Sequence, residues 1–273
     1  MTLTYTPDCF GERLVRNQSA PIDWGSVVFF GGGQFPYSGD RYQDSSARCN
    51  HGTLIPDAAT GPQWVWDDYL QRWSLKYTGA NYVAKTLPIP AVPPFTLCCW
   101  CLAALDGSSQ DVISIGAGAS VGGYRLNAGM ATAGDPVRAI TYGSNPRIAT
   151  AGTIVVGRWC HIAATFESTA SRTAWFNGTP GAAQTTNETP SASSLLNIAG
   201  LNSGSAYFTG SVADPFYISA ALSPAQITWL ANPTNRLLVP RQRYLPVAVA
   251  GGETPTFKPW WASRCNHLIG AGV

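Results

Sequence analysis

The chain has 273 residues, of which 12% are charged, and its formal net charge is +2 at pH 7. A charge this close to neutral produces no field that would hold nucleic acid or an anionic membrane, so neither is expected as a partner. Glycine (28), proline (20) and tryptophan (10) are abundant. This composition is typical of short strands joined by many turns and excludes a protein built from long, solvated helices.

The N-terminus, Met1-Thr2-Leu3-Thr4, lacks the basic region and apolar core of a secretory signal. No apolar run reaches the length of a membrane span. The seven cysteines include the run Cys98-Cys99-Trp100-Cys101, which lacks the C-x-x-C spacing of a zinc knuckle. We predict reduced, buried thiols that pack as hydrophobic residues, and a Cys/His metal site is the less favoured alternative.

The first part of the chain is predicted to be irregular up to about residue 35, apart from one apolar run at Val27–Phe30. A polar loop at Asp44–Leu54 then leads into a strand. Two tryptophan-rich segments are predicted as short strands, Trp64–Trp66 and Trp73–Tyr77. The four prolines of Leu87–Pro94 exclude a central strand and mark an edge or a crossover.

Phe95–Ala103 is apolar at nearly every position and is therefore predicted as a strand buried on both faces. Trp159–Phe166 and Thr173–Phe176 form an antiparallel unit, and the following Asn177-Gly178 supplies the positive φ angles of a tight turn. Further strands are predicted at hairpin spacing: Asp111–Ile115, Tyr124–Asn127, Val137–Tyr142, Thr153–Val156, Ser194–Leu201 and Phe208–Ser219.

One helix is predicted after residue 223. Ser223-Pro224-Ala225-Gln226 is a capping box with proline at the first helical position, and Asn232-Pro233 ends the helix. We therefore divide the chain into three parts. They are an N-terminal flank (1–35), an all-β, antiparallel jelly-roll sandwich with one short helix (36–235), and an irregular C-terminal docking tail (236–273).

Four segments, in this order, resemble motifs of the laminin-G-like, concanavalin A-like jelly-roll domain: Asp44–Leu54, Phe95–Trp100, Trp159–Gly178 and Gly210–Ile227. The resemblance covers roughly residues 40–233 and implies the same jelly-roll fold. Ser19–Gly25 and Trp261–Gly270 are similar to segments that flank this domain in phage-encoded proteins. These flanks imply a virion protein assembled in the cytoplasm of a host bacterium.

Enzymatic activity is not expected. Glucanases that share this fold carry paired carboxylates on an E-x-D-x-E strand. The four glutamates of this chain, at positions 12, 167, 188 and 253, have no such partner two residues away, and no G-x-S-x-G motif is present. We predict a non-enzymatic protein without a cofactor.

The resemblance also implies a calcium site, but the acidic loop of the family reads Tyr77–Val83 here and has lost its carboxylates. No metal is therefore predicted. Ligand-binding candidates are the remaining oxygen donors and two tryptophans that could stack on a sugar, for all of which a purely structural role is the alternative: Asp44, Asn50, Asn81, Asp214, Trp64 and Trp66.

The predicted function is that of a non-enzymatic virion structural protein, for example a capsid decoration protein or a head or tail accessory. Its expected partners are other copies of itself and other virion proteins, with cell-surface glycans as a further partner. The alternative is a carbohydrate-binding module of a host-recognition tail fibre or spike. Interface candidates lie in the tail, where arginines and aromatic residues are close together: Arg241, Arg243, Tyr244, Trp260 and Trp261.

Overall fold

The structure is a computed structural model that describes residues 14–32, 39–56, 59–116, 122–201, 206–240, 244–246 and 257–259. The described chain is mainly β-strand, with a 3-10 turn at Trp24–Ser26 and one α-helix, α1, at Pro224–Leu230. The strands are β1 (Leu14–Arg16), β2 (Val27–Phe30), β3 (Arg41–Tyr42), β4 (Gly52–Ile55), β5 (Gln63–Asp67), β6 (Arg72–Thr78), β7 (Tyr82–Thr86), β8 (Phe95–Ala103), β9 (Ser109–Gly116), β10 (Gly123–Gly129), β11 (Val137–Tyr142), β12 (Pro146–Ala151), β13 (Trp159–Ser168), β14 (Ser171–Phe176), β15 (Thr179–Pro180), β16 (Leu195–Ile198), β17 (Thr209–Ile218), β18 (Leu238–Pro240), β19 (Tyr244–Pro246) and β20 (Phe257–Pro259).

Two sheets form the body of the molecule. Sheet I has the strand order β12-β11-β10-β9-β16-β7-β4-β3, and sheet II has the order β15-β14-β13-β8-β17-β6-β5, with β2 beside β17. Two ribbons, β1 with β18 and β19 with β20, lie outside these sheets. All of these pairings are antiparallel. The predicted all-β, antiparallel sandwich with one helix is therefore confirmed.

Strand β8 is buried on both faces, as its sequence predicts. On one face Cys99 and Cys101 belong to the core between the two sheets. On the other face Cys98 packs with Ile227 and Leu230 of α1, which covers the outer surface of sheet II. Because each face meets an apolar layer, the usual alternation of apolar and polar residues is absent from this strand.

Segments on both sides of the predicted jelly-roll domain pack onto sheet II. β2 pairs with the end of β17, and Ile22, Leu237 and Leu238 join the apolar cluster beneath α1. Apolar flanks must either fold back onto their own domain or be buried against a partner. Ile22, Val27–Phe30, Leu237 and Leu238 do the former, while the proposed domain boundaries stay a prediction.

Both local signals read from the sequence are confirmed. Asn177 and Gly178 have φ angles of 48° and 83°, the left-handed conformation of a tight turn. Ser223 Oγ accepts a hydrogen bond from Gln226 N, and Gln226 Oε1 accepts one from Ser223 N at 2.8 Å. No helix in the described part of the chain is long and apolar enough to cross a membrane.

The prediction of a strand at Thr153–Val156 is wrong. The strand lies earlier, at Pro146–Ala151, and residues 153–156 are a loop. Ile154 is 1% exposed and packs in the core between the sheets, but Val155 and Val156 are 48% and 44% exposed, so the run does not alternate between core and surface as a half-buried strand would. Apolar residues normally signal burial, but here only one of the three, Ile154, is buried.

The cysteines behave in two ways. Cys98, Cys99, Cys101 and Cys160 are buried free thiols, as predicted. Cys49 is disulfide-bonded, so the expectation of reduced thiols is wrong for this residue. It is half-buried and has a φ of 52° in the loop after β3. The thiols inside the sandwich stay unpaired even where two of them lie close, since the Sγ atoms of Cys101 and Cys160 are 3.5 Å apart.

Candidate functional site

Asp44 is fully buried and its carboxylate is surrounded by protein donors. Oδ1 accepts hydrogen bonds from Phe30 N at 2.9 Å and Ser46 N at 2.8 Å. Oδ2 accepts from the Ser46 hydroxyl and from Asn50 N, each at 2.6 Å. Asn50 Nδ2 in turn donates to Val28 O at 2.8 Å. The two candidates therefore lie together and attach the loop of residues 44–50 to β2, which accounts for both as parts of the fold.

Asp214 lies at a bulge in β17, with a φ of 49°. Arg72 is 5% exposed and forms an ion pair with Asp214 Oδ2 while its other nitrogens donate to Leu70 O and Pro233 O. The cavity beside this pair has a volume of about 20 Å³. Such a space suits about one water molecule and is too small for a sugar.

His161 lines the same small cavity and is buried. Burial, and secondly the charge of Arg72, lower the pKa of His161 to about 3. The imidazole is therefore neutral at ordinary pH, and its ring packs against Trp100 with the centroids 5.5 Å apart. Arg72 joins the loop after α1 to sheet II through its bonds to Pro233 O and Asp214, and His161 lies beside this pair as a neutral, buried ring.

The remaining ligand candidates are dispersed. Asn81 is buried and its Oδ1 accepts a hydrogen bond from Thr78 N at 3.1 Å, which closes the turn after β6. Trp64 is half-buried against Tyr42, with ring centroids 5.6 Å apart. Trp66 is 45% exposed and meets Trp73 edge to face. The six candidates thus do not form one site.

The interface candidates can be placed only in part. Tyr244 begins β19, which pairs with β20. The other four lie outside the described residues: Arg241, Arg243, Trp260 and Trp261. Among the described residues, no three side chains of histidine, cysteine, aspartate or glutamate come together as a metal site requires.

An open groove of about 630 Å³ lies at the end of the sandwich where β5 and β6 are joined. Its walls come from three separate parts of the chain: the β5–β6 turn, the loop between β12 and β13, and the turn after β14. The lining residues are Tyr69, Thr153, Val155, Gly157, Arg158, Trp159, Cys160, Phe176 and Asn177. A cavity of this size can hold a ligand of two or three sugar units.

Hydrogen bonds fix the walls of the groove. Trp159 Nε1 donates to Asp67 Oδ2 at 2.7 Å, and Asp67 Oδ1 accepts from Leu70 N at 2.7 Å. These bonds join the start of β13 to the β5–β6 turn. Asn177 Oδ1 accepts from His161 N at 2.9 Å, which orients the turn after β14. The groove is therefore formed by ordered elements before any ligand arrives.

The chemistry of the lining is mixed aromatic and polar. Tyr69 is 64% exposed, and the rings of Trp159 and Phe176 are half-buried beside it. Arg158 and Thr153 are exposed and can donate hydrogen bonds. None of the lining residues carries a carboxylate, so the groove lacks the acid and base pair of a glycosidase. Aromatic faces beside a few donors suit a ligand that is apolar on one face and hydroxylated at its edges.

The groove residues were not among the sequence candidates. Tyr69 lies in a turn between two predicted strands, where the sequence carries no pattern that indicates a binding residue. Thr153 and Val155 belong to the predicted strand that the structure shows as a loop, and Trp159 belongs to the predicted antiparallel unit. The available signal was an apolar pair, Val155-Val156, placed between the glycines at 152 and 157, a context typical of an exposed loop.

Comparison with known proteins agrees with the architecture. Residues 78–228, more than half of the chain, match the family model Laminin_G_3, described as the concanavalin A-like lectin/glucanases superfamily. No curated protein matches the chain in sequence.

Solved structures with similar folds include domain 4 of AbnA, a GH43 extracellular arabinanase from Geobacillus stearothermophilus, in complex with arabinotriose. It is 14% identical with a TM-score of 0.61, and the match covers 76% of this chain and 98% of that domain. Trypanosoma rangeli sialidase is 16% identical with a TM-score of 0.57, over 78% of this chain and 33% of the sialidase.

The binding domain of Paraclostridial Mosquitocidal Protein 1 is 15% identical with a TM-score of 0.57, over 77% of this chain and 52% of that one. This chain therefore spans a third of the sialidase and about half of that binding domain. At these identities the likeness shows the fold alone. The family match, the two antiparallel sheets and the order of the strands lead to one conclusion: the chain belongs to the concanavalin A-like lectin/glucanases superfamily.

Proposed function

We propose that the protein is a non-enzymatic glycan-binding module and that its groove holds the sugar. The observation that carries this proposal is the exposed ring of Tyr69 facing a preformed groove that also contains Trp159 and Arg158. A sugar ring would stack on the aromatic side chains while its hydroxyl groups accept hydrogen bonds from Arg158 and Thr153.

The comparisons support this proposal without deciding it. One structural neighbour is a domain bound to arabinotriose, and another is the binding domain of Paraclostridial Mosquitocidal Protein 1. The sialidase likeness does not favour catalysis, because this chain spans only 33% of that enzyme. The groove lining also contains no carboxylate, the group that most glycosidases use.

Arg158 narrows the ligand class, since it is the one charged side chain among the groove's lining residues. A sugar that carries a carboxylate would gain a charge-assisted hydrogen bond that a neutral sugar lacks. We therefore expect acidic oligosaccharides to bind more tightly than their neutral analogues, and we expect this preference to weaken as salt is added.

An oligosaccharide array followed by calorimetric titration of the tightest ligand tests the proposal. Tyr69→Ala removes one stacking face, about 1 kcal/mol, which corresponds to a roughly fivefold loss of affinity. Arg158→Ala removes charge-assisted hydrogen bonds and should cost about tenfold or more. Both side chains are exposed, so the variants should fold.

Trp66→Ala is the matched control because Trp66 is also an exposed aromatic residue but does not line the groove. It should keep wild-type affinity. If Trp66→Ala lost binding while Tyr69→Ala kept it, the sugar would bind at the tryptophans predicted from the sequence, Trp64 and Trp66, and not in the groove. An array on which no oligosaccharide binds would overturn the proposed function.

A second candidate function concerns where the module works. We propose that it is a structural or adhesive component of a phage particle, assembled in the cytoplasm of the host bacterium and bound to other virion proteins. The observation in favour is the resemblance of Ser19–Gly25 and Trp261–Gly270 to flanks of phage-encoded proteins. Quantitative mass spectrometry of purified particles should find the chain in a fixed ratio to the major capsid protein, and its absence from washed particles would contradict this setting.

A further inference from the structure

Strand β5 has one edge without a strand partner among the described residues. It is the last strand of sheet II and, within the described part of the chain, pairs only with β6. Val65 and Trp66 are 40% and 45% exposed. An exposed, apolar edge strand presents unpaired backbone groups to any strand that can align with it, and proteins usually protect such edges with proline or lysine. β5, Gln63-Trp64-Val65-Trp66-Asp67, contains neither.

The orientation of the backbone identifies the groups at this edge. Val65 lies opposite Ser74 of β6, and its carbonyl accepts a hydrogen bond from Ser74 Oγ at 3.2 Å. The Val65 carbonyl therefore faces β6. Because backbone groups alternate in direction along a strand, the N–H and C=O groups of Trp64 and Trp66 face the edge away from β6.

The sequence of β5 is nearly symmetric about Val65. When two copies align antiparallel with Val65 opposite Val65, Trp64 of each copy lies opposite Trp66 of the other. Gln63 likewise lies opposite Asp67. The edge-facing groups of the two tryptophans then match, so that four backbone hydrogen bonds can form across a two-fold axis. A one-residue shift would lose this match, so the register is specific.

The side chains are also compatible with such pairing. Asp67 lies opposite an amide rather than another carboxylate, and its own oxygens are already held by Leu70 N and Trp159 Nε1. Trp66 and Trp64 add cross-strand aromatic contacts on the inner face. The net charge of +2 gives little repulsion between copies.

We propose that β5 pairs with β5 of a second copy of this chain. Sheet II of one copy then joins sheet II of the other into one continuous sheet across a two-fold axis. No residue of β5 lines the groove, and the proposed interface does not depend on the proposed function. It also differs from the docking tail at 236–273, which was predicted from composition.

Sedimentation of the full chain over a range of concentrations tests this interface. The wild type should show a reversible monomer–dimer equilibrium. Val65→Lys places two ammonium groups opposite each other across the axis, so its dimer dissociation constant should rise at least tenfold. Ile89→Lys is the control because Ile89 is 68% exposed in the proline-rich loop before β8, and it should dimerise like the wild type.

Charge complementation distinguishes direct contact between the two copies of Val65 at the two-fold axis from a general effect of added surface charge. A mixture of the Val65→Lys and Val65→Glu variants should form heterodimers, since unlike charges then meet at the axis. A wild type that stays monomeric, a Val65→Lys variant that dimerises normally, equal losses in Ile89→Lys, or a mixture that fails to associate would each overturn the proposal. Should Val65→Lys not fold, Val65→Cys gives the second test: oxidation should produce a disulfide-linked dimer, and Ile89→Cys should not.

Discussion

Replacing Asp44 should destabilise the fold strongly and leave ligand binding to the folded protein unchanged. The carboxylate is fully buried and accepts four hydrogen bonds, three of them from backbone N–H groups. Asp44→Ala leaves these three buried donors without a partner. Each such loss costs about 1–3 kcal/mol, and local relaxation should hold the total near 4 kcal/mol, at the upper end for single substitutions.

Asp44→Asn is the milder perturbation. Its remaining oxygen can keep the bonds from Phe30 N and Ser46 N, but its NH₂ group then faces the Asn50 N–H, donor against donor. We expect a loss of about 2 kcal/mol. For a chain of 273 residues, this corresponds to a fall of roughly 4 °C in melting temperature, and about twice that for Asp44→Ala.

Urea unfolding and thermal melts of both variants provide the measurement. Asp23→Asn is the matched control, because Asp23 also accepts hydrogen bonds from a turn, from Gly25 N and the Ser26 hydroxyl, but at an exposed position. Its effect should be much smaller. Wild-type stability in Asp44→Asn, combined with weakened glycan binding, would show that Asp44 is a ligand-binding residue and would refute its structural role.

Three further predictions concern pH, thiols and metal. Burial lowers the pKa of His161 to about 3, against about 6.5 when unfolded, so the unfolded chain binds one more proton between these values. Stability should therefore fall by up to about 1.4 kcal/mol per pH unit on acidification through this window, and urea unfolding of His161→Phe should lack that slope. Mass spectrometry should show no alkylation of the four buried thiols until the protein unfolds: Cys98, Cys99, Cys101 and Cys160. Labelling of these thiols in the native protein would contradict their burial. EDTA should leave the melting temperature unchanged, because Asp44 and Asp214 are engaged by protein donors, and a fall of several degrees would reveal a bound metal.

Much of the fold was predictable because its signals are local. The burial of Phe95–Ala103, the turn at Asn177-Gly178 and the capping box at Ser223 each depend on a few consecutive residues. The order of four such segments then resembled one family. The strand prediction at Thr153–Val156 failed because a loop that buries Ile154 and exposes two valines gives the same apolar run as a short buried strand.

The site could not be read in the same way. Tyr69, Arg158 and Phe176 are far apart in sequence and meet only because the β5–β6 turn lies beside the start of β13. The sequence candidates Asp44 and Asp214 were chosen as oxygen donors, but burial gives them partners inside the protein. The sequence does not distinguish a carboxylate that stabilises a loop from one that binds a ligand, because the difference lies in their tertiary contacts.

A crystal structure of the protein with its tightest oligosaccharide tests the central claim most directly. The account predicts a sugar ring over Tyr69, in van der Waals contact with its face, and hydroxyl or carboxylate oxygens within hydrogen-bonding distance of Arg158. The walls of the groove should move little, since Trp159 is already fixed by Asp67. An oligosaccharide bound at any other surface, with the groove empty, would contradict the account.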